Sequence, residues 1–392
     1  MKKKIGAGDK LSGIKQISLG YDHSVALAND GTVFTWGLNH EGQLGDGSKT
    51  DQDSPTAITF LGDVPIKQVA TGMSHTIALA SDGTVFTWGN NQDGQLGDGN
   101  SGWGTNQLSP AAITFPSGVT IKQVAAGSSH TIALASDGTV FTWGDNRQGE
   151  LGDGNSGWGT NQLSPTTITF PGGATIEQIA ARSRQSMALA SDGTVFTWGM
   201  ISKGNWVGSD TQASPTAIPF PGGATIEQIE AGASHKIAIA SDGTVFTWGS
   251  NDDGELGDGT MGTIEASPIP IAIPGGATIE QVAGGVCFTM ALASDGTVFT
   301  WGLNLYGELG AGNIETNLVS PTVMSIPEGV LIEQVAAGNS YTAVLTSDGT
   351  VLTWGRNDYG QLGNGGKGTD QATLQKVIFP ADASAGDPIP GD

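Results

Sequence analysis

His23, His75, His130 and His235 occupy one place in a repeating unit; Gln185, Phe288 and Tyr341 stand there in the other three units. Histidine is the usual acid–base residue near neutral pH and a common metal ligand. A catalytic base is one residue at one site, so fourfold copying points to structure, each ring bonding a neighbouring turn. Four rings near one axis could hold a metal, but the three replacements break such a set. The Gly-Asp-Gly pieces at 45–47, 97–99, 152–154 and 257–259, with Asn251-Asp252-Asp253-Gly254-Glu255, have the look of calcium loops. Calcium takes about six to eight oxygens in a fixed register. These loops supply too few carboxylates in that register, so tight turns are expected. Cys287 is the one cysteine; it lacks the positive setting that makes a thiol reactive. No nucleophile elbow, phosphate loop or zinc helix is present. The expectation is a protein with no catalytic residue, no metal and no cofactor.

What positions these residues is a repeat. Asp-Gly-Thr-Val-Phe-Thr-Trp-Gly begins at Asp30, Asp82, Asp137, Asp192, Asp242 and Asp295, and again at Asp348 with Leu352 for Phe. Successive starts lie 52, 55, 55, 50, 53 and 53 residues apart. A strand-rich period near this length marks a propeller, one blade per repeat. In the second unit, alternation predicts strands at 66–70, 75–80 and 84–88, with a fourth after Ser109-Pro110 at 111–115. Asp82-Gly83 predicts a two-residue hairpin with positive φ at both residues. Trp36, Trp88, Trp143, Trp198, Trp248, Trp301 and Trp354 are expected in the core, large faces packing on small ones. The reading is all-β: one seven-bladed β-propeller of four-stranded antiparallel blades at 14–379. Residues 1–13 form a lead-in and 380–392 a flexible tail. The last strand, at 374–379, is expected to pair into the first blade and so close the ring.

The net charge is −22, from 38 acidic and 16 basic residues. A general nucleic-acid binder needs a basic face, and an anionic membrane would repel this chain. Neither partner is expected. A single cysteine allows no internal disulfide. Met1-Lys2-Lys3-Lys4 resembles the start of a secretory signal but no apolar stretch follows. Low Lys with high Thr and Gly suits an extracellular bacterial protein, and a monomer is expected.

The pattern Ala125-Ala126-Gly127-Ser128-Ser129-His130-Thr131-Ile132-Ala133-Leu134, then 137–144, then Gly149-Glu150-Leu151-Gly152, resembles the repeats of the regulator of chromosome condensation family. The resemblance covers nearly the whole chain and implies a seven-bladed propeller. It leaves function open, because family members include an exchange factor for the Ran GTPase, a plant ultraviolet-B photoreceptor and a bacterial inhibitor of beta-lactamase. The exchange factor uses a wedge inserted in one blade, and no unit here exceeds 55 residues. The photoreceptor carries Trp then Arg between the Gly and His of several repeats. Tyr21-Asp22, Met73-Ser74, Ser128-Ser129, Ser183-Arg184, Ala233-Ser234, Val286-Cys287 and Asn339-Ser340 stand there instead.

Packing explains the consensus, so departures from it carry the information. In the fourth unit Gly-x-x-His becomes Arg182-Ser183-Arg184-Gln185, and the long loop becomes Gly204-Asn205-Trp206-Val207-Gly208-Ser209 after Lys203. Three of four arginines are Arg147, Arg182 and Arg184. Arg, Lys and Trp on an acidic body have the composition of an interface. Trp103 and Trp158 sit in an eight-residue loop sequence repeated unchanged at 100–107 and 155–162. Loop aromatics point to function more often than core ones. The sequence therefore predicts a non-catalytic scaffold that binds another protein through the face of the Gly-x-x-His turns. Arg182, Arg184, Arg147, Lys203, Trp206, Trp103 and Trp158 are its candidates. A guanine-nucleotide exchange factor for a small GTPase is the rival; a carbohydrate-binding or carbohydrate-active surface protein is third.

Overall fold

The computed structural model describes residues 13–62, 64–201 and 210–380. Seven four-stranded antiparallel sheets account for the strands there, each built from consecutive strands of one repeat. The innermost strands, Ile14–Leu19, Ile66–Thr71, Ile121–Ala126, Ile176–Arg182, Ile226–Ala231, Ile279–Gly284 and Ile332–Ala337, run around a central channel. Each later strand lies further out. The Gly-x-x-His turns and the long loops share one face, where Asn90 donates its backbone N–H to Ser74. The Asp-Gly turns occupy the opposite face.

Blades interlock as the side-chain sizes require. Val25 and Leu27 of blade one pack on Ala78, Ala80, Phe86 and Trp88 of blade two, all buried. The fourth strand of blade two is Gln107–Ile113, earlier than the sequence alone indicates. Pro110 sits within it, which an outermost strand tolerates because its N–H side needs no partner. Phe115 then leaves the strand and meets Phe141 and Trp143 of blade three edge-on, at 5.3 and 5.9 Å. The hairpin also differs from expectation. Gly83 N–H bonds Ala80 O, and only Gly83 (φ 91°) is left-handed, so Ser81-Asp82 form an ordinary turn that Gly83 ends. The Asp82 carboxylate instead accepts the Thr84 N–H at 2.9 Å.

The ring closes at the expected junction, but by side-chain packing and a loop hydrogen bond from Gly365 N–H to Asp53 O rather than by strand pairing. The strand Gln371–Lys376 pairs with Val351–Gly355 and completes the seventh sheet rather than the first. Phe379 then packs on Phe34 and Trp36 of blade one at 5.3 and 6.0 Å, as Phe60 packs on Phe86 and Trp88. Every blade holds its own four strands, so the last junction resembles the other six and no strand is left over to cross it.

Candidate functional site

Three inter-blade stitches fix the loop face. First, the buried Trp indoles donate to the next loop back: Trp88 to Gln43 O, Trp143 to Gln95 O, Trp198 to Glu150 O and, across the closure, Trp36 to Gln361 O, at 2.8–2.9 Å. The indoles thus pack as expected and also bond. Second, His23, His75, His130 and His235 each bring Nε2 within 2.8–3.1 Å of a hydroxyl on the next blade: Thr76, Thr131, Ser186 and Thr289. The partner is a strand residue and not the turn anticipated. Burial lowers these imidazoles to about 3, 4, 3 and 3, so they stay neutral. Third, glutamines of the innermost strands clasp the neighbouring backbone. Gln68, for example, donates to Val124 O and accepts from Val124 N, both at 3.0 Å. The sequence reading passed over this belt, although Gln recurs in every Ile-x-Gln.

The Gly-Asp-Gly loops fold around buried asparagines. Asn91 Nδ2 donates to Asp98 at 3.0 Å while its Oδ1 accepts from Leu96 N at 3.1 Å. The aspartates are thereby turn-formers, as expected.

The departures from consensus separate into two places. Arg182 lies in the channel, where it donates to Ala337 O at 2.9 Å and Gly338 O at 2.6 Å, spanning from blade four to blade seven. It is a staple across the ring. Glu230 of blade five lies in the same channel, at the position of Ser18, Ala70, Ala125, Ala180, Ala283 and Ala336 in the other blades. Burial raises its pKa to about 7, and the Arg182 charge opposes that rise. The sequence reading missed Glu230; its signal was a charge in a column otherwise of Ser and Ala.

Arg184, Arg147, Trp103 and Trp158 lie on the loop face. Trp103 and Trp158 are 91% and 86% exposed, so they do not cap a blade edge. The Arg147 guanidinium stacks 4.5 Å from the centre of the Trp158 ring and pairs with Asp93 and Asp145. Arg184 is exposed at the rim of a cleft of about 350 Å³ that Asp93, Asp145, Glu150, Asp252, Asp253 and Glu255 also line. The irregular blade is therefore not a basic island; acids surround Arg184, its one surface arginine among the described residues. Lys203 and Trp206 lie outside the described residues. No group of three His, Cys, Asp or Glu among the described residues is placed to hold a metal ion. Burial and the nearby Glu255, Asp253 and Asp252 push the Cys287 thiol well up, which keeps it protonated.

Glu150 and Glu308 stand in a column where other blades carry Gln43, Gln95 and Gln361. Each uses one carboxylate oxygen to accept a backbone N–H, at 2.7 Å, and leaves Oε1 buried without a partner. Burial raises both to about 7. A carboxyl raised in the folded state contributes fully below its unfolded value of about 4.5 and loses that contribution as pH rises through 7. Glu150→Gln should therefore stabilise the fold by about 2 kcal/mol near pH 8, with the gain fading toward pH 4.5. Gln95 shows why: its amide donates to Asn90 at 2.7 Å, and Asp145 stands in the corresponding place. Urea unfolding of the variant at the two pH values measures the effect.

The RCC1-like domain family matches residues 102–387, and the regulator of chromosome condensation repeat matches 30–79, with a second form at 14–43 and 66–95. The ultraviolet-B receptor UVR8 of Arabidopsis thaliana is 35% identical over 353 residues, 90% of this chain and 67% of that protein. The E3 ubiquitin-protein ligase HERC2 of Mus musculus is 35% identical over 359 residues, but these span only 6% of the ligase. Among solved structures, human WBSCR16 superposes with a TM-score of 0.77 at 25% identity, covering 86% of this chain and 88% of that one. Prp20p of Saccharomyces cerevisiae, whose structure is described with its binding to Gsp1p and histones, gives 0.79 at 24% identity over 91% and 88%.

Proposed function

The chain belongs to the RCC1-like domain family, and we propose that it acts as a non-catalytic propeller scaffold whose loop face binds another protein. The supporting observation is the pair of almost fully exposed tryptophans, Trp103 and Trp158, standing on loops of that one face. A bare indole in water is costly unless something covers it, and two identical loops present two. Arg147 holds the Trp158 ring from one side and leaves the other open. Arg184 is the neighbouring polar contact, while Arg182 is committed to the ring.

Photo-cross-linking tests the face. Benzoylphenylalanine placed at Trp103 or Trp158 should capture a protein from source lysate that the same probe at Glu177 or Glu227, on the opposite mouth of the channel, does not. Equal capture from both faces, or none from the tryptophan positions, rejects the reading.

A further inference from the structure

The cleft beside Arg184 holds six carboxylates: Asp93, Asp145, Glu150, Asp252, Asp253 and Glu255. Arg147 satisfies the first two. Asp252 accepts from Ser250 Oγ at 3.0 Å, and Asp253 from Asn317 Nδ2 at 3.2 Å. Glu150 and Glu255 are 0% exposed, line the cleft, and each keeps Oε1 without a hydrogen-bond donor. A buried acceptor left unmade costs free energy, and more so for an acid than for an amide. Glutamine does the same structural work at this position in three other blades, so the fold itself does not require the carboxyl. Two such groups facing one cleft share what they lack, which is a cation that donates a hydrogen bond: Arg184 at the rim acts on Glu150 through its charge and leaves Oε1 unbonded. The cleft's volume of about 350 Å³ admits a long side chain and excludes a folded domain.

We infer that this cleft receives an arginine or lysine side chain of a basic segment carried by the partner protein. The inference rests on the loop face being the binding face. A guanidinium fits the need well, because its planar fork gives two parallel donors to carboxylate oxygens. Ser129 and Ser234 offer hydroxyls at the rim, and Met73 and Met200 offer apolar surface for the side-chain stem. The net charge of −22 would draw a basic segment toward the molecule from any side; the unsatisfied pair would decide where it stays.

The experiment is a fluorescence-anisotropy titration with a labelled, acetylated tetra-arginine amide, and with its tetra-citrulline counterpart, which has the same shape without charge. The wild-type protein should bind the arginine peptide at least about tenfold more tightly than the citrulline one. Glu150→Gln/Glu255→Gln should lose at least about tenfold. Two proteins serve as controls and should change less than about twofold. Glu308→Gln removes the same kind of orphaned carboxyl outside the cleft, and Glu177→Gln/Glu227→Gln removes two charges from the far mouth. Equal losses in the far-mouth variant would mean attraction by bulk charge, and an unaffected Glu150/Glu255 variant would mean another site; either overturns the inference. The Glu150 change is expected to stabilise the fold, so lost binding cannot be ascribed to unfolding. Cross-linking at Trp103 and Trp158 with no peptide binding would leave the scaffold reading intact and remove the cleft. Peptide binding without cross-linking would do the reverse.

Discussion

Arg182→Met should lower the unfolding free energy by about 3 kcal/mol near pH 9, and by only about 1 kcal/mol near pH 5. The smaller, pH-independent part is the loss of two donors to the Ala337 and Gly338 carbonyls. The larger part belongs to Glu230. With Arg182 present, burial already holds that carboxyl at about 7. Without the guanidinium only the backbone hydrogen bond from Ala231 opposes burial, and the folded-state value rises further. Because it is raised above its unfolded value, its contribution is complete at low pH and falls away as pH climbs. The deficit must therefore widen above pH 7. Both side chains are partly exposed along the channel, so water screens the coupling and holds the figure below that of a fully buried pair. Chemical unfolding followed by tryptophan fluorescence gives the numbers. Adding Glu230→Ala, the residue most other blades carry there, should cancel the pH-dependent part and leave the smaller loss. A deficit of equal size at both pH values would exclude Glu230 from the account.

The architecture was legible because each repeat states its own strands, and the size alternation along Val85-Phe86-Thr87-Trp88 says which faces meet. Less legible was anything set by a partner far along the chain. Arg182 reads as a surface cation when only 182–185 are compared with the consensus. Its real partners are 155 and 156 residues away, and only the ring geometry brings them near. The same distance hides Glu230, which looks like a solvated strand charge until the channel places it beside Arg182. Ring closure was misjudged for a related reason: counting strand types cannot tell a strand that pairs across the junction from a phenylalanine that merely packs across it. Trp103 and Trp158 were readable as loop residues but not as exposed ones: a loop aromatic can cap a blade edge or stand in water, and only the folded loops show the second.

Gly72→Ala should be among the most destabilising single changes, at about 3 kcal/mol, the upper end for overpacking. A Cβ there would lie 2.1 Å from the His75 ring carbon and 2.6 Å from Gly127 O. Four blades pair this glycine with a histidine ring, and two pair it with Phe288 or Tyr341 at 2.1 and 2.2 Å. Blade four alone carries a side chain there, and there the ring is replaced by the slimmer Gln185. Arg182 and Gln185 are thus one coupled change: removing the ring makes the space that the arginine uses. The coupling is measurable as a double-mutant cycle. In a His75→Gln background, Gly72→Ala should cost about half as much, because the ring clash is gone while the carbonyl contact remains. His75→Gln itself should be mild, since Gln185 also reaches the next blade from this position, donating to the Ala233 turn carbonyl at 2.9 Å where the histidines meet a strand hydroxyl. An additive cycle would mean that the backbone alone demands glycine, and the Arg182–Gln185 pairing would then be two unrelated substitutions.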